Sequence, residues 1–120
     1  MSGEMTPTFV RVAAALLGAT GIVAAAFGAH GLEKIADARG VRLWAIACAI
    51  QLVTAPVILW TSGELREGRL GALSPLGLLL GVLIFSGTLY AMALGAPRFL
   101  GAITPLGGLL LALAWLSLAF

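Results

Sequence analysis

The chain has 120 residues, of which 61% are hydrophobic and 10% charged, with a formal net charge of +2. A water-soluble domain carries about 25% charged residues, so this composition excludes one, and a mean hydropathy of +1.10 points to lipid as the solvent. The small net charge offers no footprint for nucleic acid. One cysteine (Cys48) and one histidine (His30) exclude an intramolecular disulfide and a metal cluster of ordinary ligand spacing.

The charged residues fall into a few clusters, and the runs between them are uncharged. Each run is about 18 residues or longer, the length a helix needs to cross roughly 30 Å of hydrocarbon. Only a helix or a closed barrel satisfies its backbone in lipid. The fold predicted is all-α: an integral membrane bundle of four transmembrane helices in a single domain, residues 1–120. The spans are placed at 9–29, 43–63, 70–94 and 99–120.

The first span opens with Thr6 as N-cap and Pro7 at the first helical position. Its apolar run is long for a signal peptide, so the segment is expected to be retained. Ala14, Gly18, Gly21, Ala25 and Gly28 recur at steps of three and four. They trace one small-residue face suited to close helix packing. The run ends at His30, between Gly28 and Gly31. Here the glycines are expected to allow a tight turn and the imidazole to anchor it at the helix C-terminus; proton handling or ligand contact is the alternative. Residues 32–42, LEKIADARGVR, have apolar residues on one side and charges on the other. They are read as a short helix at the membrane surface.

The second span carries Trp44 and Trp60 as two interfacial aromatics. Pro56 frees the Leu52 carbonyl and is expected to kink the helix. Gln51 and Thr54 share a face one turn before it. A mid-membrane Gln needs a hydrogen-bond partner, and the Leu52 carbonyl, Ser86 or Thr88 are the candidates. Cys48 is read as a small packing residue.

The third span contains the Gly77/Gly81 pair, and the fourth contains Gly108 with Ala112; both are helix-packing candidates. ALSPLGLLL at 72–80 is echoed by AITPLGGLL at 102–110. N-capping by Ser74 and Thr104 ahead of Pro75 and Pro105 is favoured over a duplicated helix. Lys and Arg divide almost evenly between the two faces. The leaning is toward cytoplasmic first and third loops.

FGAHGL at 27–32, FSGTLYAMAL at 85–94 and LGAITPLGGLLLALAWL at 100–116 together resemble domain-of-unknown-function family 423, the transmembrane protein 256-like proteins. The likeness runs the whole chain in order and spacing. It implies a four-span protein of bacterial inner membranes and no particular activity. The family's Tyr-Gln-x-x-His stretch at the start of the second span corresponds to Ile50, Gln51, Leu52, Val53 and Thr54. The Gln is kept, while Ile50 and Thr54 replace the Tyr and His. A catalytic or metal role carried by two histidines is therefore not transferred.

No intramembrane ionisable residue, nucleophile triad or carboxylate pair stands in the sequence, and neither an enzyme nor a bound cofactor is expected. The polar residues singled out are His30, Gln51, Thr54, Ser86, Tyr90 and Thr104. The favoured role is a structural or accessory subunit that packs against a larger membrane complex or itself in the lipid bilayer. The alternative is a small dimeric transporter or channel.

Overall fold

The computed structural model describes residues 6–120. Four long helices follow one another: α1 (Pro7–His30), α2 (Ala38–Arg66), α3 (Leu73–Ala93) and α4 (Thr104–Ser117). Each neighbour pairs with the next, α1 on α2, α2 on α3 and α3 on α4. The bundle measures 47 × 27 × 26 Å. α1 rises about 36 Å and α3 about 31 Å at 1.5 Å per residue, long enough to cross a bilayer. α4 alone is only about 21 Å long. A five-residue 3-10 segment, Arg98–Ala102, precedes it and completes a fourth apolar span over Arg98–Ser117.

The local reasons for these boundaries are visible in the chain. The Thr6 hydroxyl accepts from the Phe9 amide at 3.1 Å, and Pro7 needs no partner for a missing N–H. The Asp37 carboxylate caps α2 through the Gly40 amide at 2.8 Å. α2 and α3 each end on a glycine in the left-handed region, Gly68 at φ +75° and Gly95 at φ +107°. These positions let the next amide turn back onto the helix, Arg69 N to Glu64 O and Ala96 N to Ala91 O, both at 2.9 Å.

α1 ends at His30 with Gly31 as its C-cap, as expected, but the turn needs no left-handed glycine. Gly31 has φ −129°, outside the left-handed region, and His30 is exposed in the last turn of α1. The corner buries Leu32 completely, and the Gly31 amide bonds back to the Phe27 carbonyl at 2.8 Å. The surface helix is a single 3-10 turn, Leu32–Lys34, because Asp37 starts α2 earlier than the charge pattern suggested.

Ser74 and Thr104 do not cap their helices. α3 begins one residue before Ser74, and neither helix start has a side-chain cap. Both hydroxyls instead tie α3 to α4. Ser74 Oγ lies 2.7 Å from Ser117 Oγ at one end of the pair, and Thr104 meets the Thr88 hydroxyl at the other. Small residues fill the space between. A Cβ on Gly77 would lie 3.0 Å from Ala114 Cβ, and one on Gly81 would lie 2.9 Å from the Leu111 amide. A Cβ on Gly107 would lie 2.6 Å from the Phe85 backbone nitrogen. Gly107 is thus the closest approach. Gly108, the position expected from spacing, only meets the Phe85 ring at 3.4 Å.

The expected small-residue face of α1 lies against α2 of the same chain. A Cβ on Gly21 would lie 2.7 Å from Leu52 Cδ2, and one on Gly28 would lie 2.8 Å from Trp44 Cδ1, whereas Gly18 has room, with Ala55 Cβ at 3.9 Å. The apolar core draws on all four helices through Val10, Ala14, Ile58, Leu78, Val82, Leu111 and Ala114. The large side chains of α1 and α4 that point outward, such as Leu16, Val23, Leu109 and Leu116, are exposed, as lipid-facing positions are.

Candidate functional site

The polar centre of the bundle is built around Gln51. It stands near the middle of α2 and is only 5% exposed. An amide in lipid must bond inside the protein or lose the full cost of desolvation. Its Nε2 donates to the Leu17 carbonyl and to Thr20 Oγ1, both at 2.8 Å. Its Oε1 accepts from the Tyr90 hydroxyl at 2.6 Å. The Leu17 carbonyl can only accept, which fixes the amide orientation. Gln51 therefore joins α1, α2 and α3 in one residue.

The neighbours extend this tie. Thr20 passes its own proton to the Leu16 carbonyl at 2.7 Å. The Cys48 sulfur lies 3.5 Å from the Tyr90 oxygen. Trp44 donates Nε1–H to the Ala24 carbonyl at 2.7 Å. Its ring packs edge-on between Phe27 at 5.5 Å and Tyr90 at 4.6 Å, and such offset aromatic pairs add to burial. Trp44 is therefore a packing and hydrogen-bonding residue between helices, half-buried, rather than a free interfacial belt residue. Trp60 keeps the exposed position expected of one.

The structure brings Gln51 and Tyr90 together and leaves the other sequence candidates apart. Ser86 is buried and donates to the Ala47 carbonyl at 2.8 Å, a separate α2–α3 tie. Thr54 is buried but donates to Ile50 of its own helix at 2.6 Å. Thr104 belongs to the α3–α4 clasp. His30 lies on the exposed end of α1, and its side chain has no hydrogen bond among the described residues. The Gln51 partners are not those expected: neither the Leu52 carbonyl, nor Ser86, nor Thr88 bonds it. Thr20 was missed altogether. Its signal in sequence is a lone hydroxyl one residue from Gly21, at the edge of the face that the small residues press against α2.

Beside this centre a cavity of about 410 Å³ opens between α1 and Trp44, lined by Ala19, Thr20, Val23, Ala24 and Phe27. The Thr20 hydroxyl and the Trp44 indole N–H are both engaged with α1 carbonyls. The lining thus presents almost wholly apolar surface. No cluster of three His, Cys, Asp or Glu occurs among the described residues.

Four apolar helices tied by intramembrane hydrogen bonds define a small polytopic membrane protein. A family model described as "Protein of unknown function (DUF423)" matches residues 24–108, and the chain belongs to that family. It is similar to a UPF0382 membrane protein of Haemophilus influenzae, 36% identical over 107 residues, 88% of this chain and 86% of the relative. A UPF0382 membrane protein of Staphylococcus haemolyticus is 42% identical over 99 residues, 78% of this chain and 77% of the relative. One from Schizosaccharomyces pombe is 32% identical over 111 residues, covering 88% and 93%. No solved structure matches.

Proposed function

We propose that the chain is a non-enzymatic structural subunit that packs against a larger membrane protein in the inner membrane of a bacterium. The observation that carries this reading is the fate of the polar groups. Among the described residues no buried side-chain nitrogen or oxygen lacks a hydrogen-bond partner. Gln51, Tyr90, Ser86, Ser74 and Thr104 spend their bonding capacity on neighbouring helices or their own. A protein built to move or transform a polar solute keeps some such groups available to it. The relatives are named membrane proteins, two of those compared being bacterial and one from yeast, which supports a membrane location. The test is to tag the chain at its native level, extract it in mild detergent and identify what migrates with it on a native gel. A discrete large band with stoichiometric companions is expected, and a small band holding this chain alone overturns the reading.

A dimeric transporter or channel is the second reading, favoured by one observation. Thr20 is exposed on the outside of α1 yet bonded to Gln51. A second copy resting on that face would be joined to the buried polar centre. Reconstituted vesicles without ion or drug flux would remove this reading.

A further inference from the structure

The two ends of the bundle differ in how their charges are used. At the end carrying the second loop, Arg69 and Glu64 form an ion pair at 2.7 Å. At the opposite end lie Lys34, Arg39, Arg42 and Arg98, with only Glu33 and Asp37 to oppose them. No salt bridge forms there among the described residues. Asp37 is already occupied as the α2 cap through Gly40. Among the described residues, the four cations at this end therefore stand without a carboxylate within 4 Å.

Two of these cations share a cleft. Gly40 brings the start of α2 against the end of α3: a Cβ there would lie 2.9 Å from the Ala93 carbonyl. Where the two helices diverge, a cleft of about 400 Å³ opens, lined by Ile35, Asp37, Arg39, Met92, Leu94 and Arg98. Arg39 is half-buried and Arg98 is exposed. Two arginines lining one space can together offer donors to the paired oxygens of a phosphate, which arginine binds through a fixed fork of donors. The Asp37 carboxylate in the same cleft leaves an excess of one positive charge, suited to a singly charged phosphodiester rather than a dianion.

The rim shows where such a phosphodiester comes from. Ile35 and Leu94 are 66% and 54% exposed, and Phe99, next to Arg98, is 68% exposed. Bulky apolar side chains this exposed, at the ends of membrane helices, lie at the level of lipid chains and glycerol. Basic pockets between transmembrane helices at the membrane surface are known headgroup sites. We propose that the Arg39–Arg98 cleft binds the phosphodiester of an anionic phospholipid. The proposal stands independently of the structural-subunit reading.

Native mass spectrometry of the whole chain tests it, with the protein released from micelles containing either phosphatidylglycerol or phosphatidylcholine. The expected result is a one-lipid adduct with phosphatidylglycerol that is about thirtyfold weaker in Arg39→Gln/Arg98→Gln. Arg66→Gln, at the opposite end, should leave it unchanged. Arg39→Lys/Arg98→Lys keeps the charge but loses the fork of donors, and serves if the glutamine pair folds poorly; it should weaken the adduct too, by less than the glutamine pair does. Equal adducts with both lipids, or an adduct indifferent to the two arginines, would overturn the proposal. Millimolar inorganic phosphate should not displace the lipid. If it does, and binds in its place, the lipid source is overturned and a free phosphate site stands instead.

Discussion

The polar tie at Gln51 can be weighed by replacing it with leucine, which nearly conserves volume and removes three hydrogen bonds at once. The losses are unequal. Thr20 still donates to Leu16, and the Leu17 carbonyl remains part of α1. Tyr90 fares worse, because its hydroxyl is left with the Cys48 sulfur at 3.5 Å, a weak acceptor. Interhelical side-chain bonds in membranes contribute about 0.6 kcal/mol each on average, with a maximum near 1.7. Three of them, with a stranded phenol, put the cost of Gln51→Leu at about 2 kcal/mol. Reversible unfolding in mixed micelles with increasing dodecyl sulfate measures it. A double-mutant cycle with Tyr90→Phe isolates the shared bond, and a coupling of about 0.6 to 1.7 kcal/mol is expected. A coupling near zero, or a neutral Gln51→Leu, would refute the idea that this amide fastens three helices.

Three further substitutions have expected outcomes in the same assay or by labelling. Gly107→Ala forces a Cβ to 2.6 Å from the Phe85 backbone and should cost about 1–3 kcal/mol by pushing α3 and α4 apart, while Gly108→Ala should change little. His30→Ala should shift stability by less than about 0.5 kcal/mol, since the side chain is exposed and has no hydrogen bond among the described residues. Cys48 is 6% exposed, so a maleimide should label it only after unfolding, and fast labelling of the folded protein contradicts its placement between α2 and α3.

The spans were legible because charge is confined to the ends of four apolar runs, a pattern lipid imposes on any chain that crosses it. The packing face of α1 was legible because its small residues keep helical spacing over four turns. The partners were not. Which carbonyl and which hydroxyl Gln51 meets depends on the register and rotation of α1 against α2, and no local residue pattern encodes these. The same rotation decides that Gly107, and not its neighbour Gly108, faces α3. Ser74 and Thr104 misled for a different reason. A hydroxyl ahead of a proline reads as a helix cap wherever it stands. In a bilayer the same hydroxyl gains a bond by reaching across to another helix, and the pairs Ser74–Ser117 and Thr88–Thr104 do so. His30 drew attention as the one histidine; it ends α1 as expected, while the residue the corner buries is Leu32.

A structural subunit must present one outward face to protein rather than to lipid. Photo-crosslinking amino acids placed singly at Leu16 and Val23 on α1, and at Leu109 and Leu116 on α4, report what each exposed position touches in the living membrane. The structural role predicts a discrete adduct with another protein from one of the two helices and lipid adducts from the other. Lipid adducts alone at all four positions would contradict it. An adduct at twice the mass of this chain, from α1 only, would favour the dimer joined over Thr20 instead.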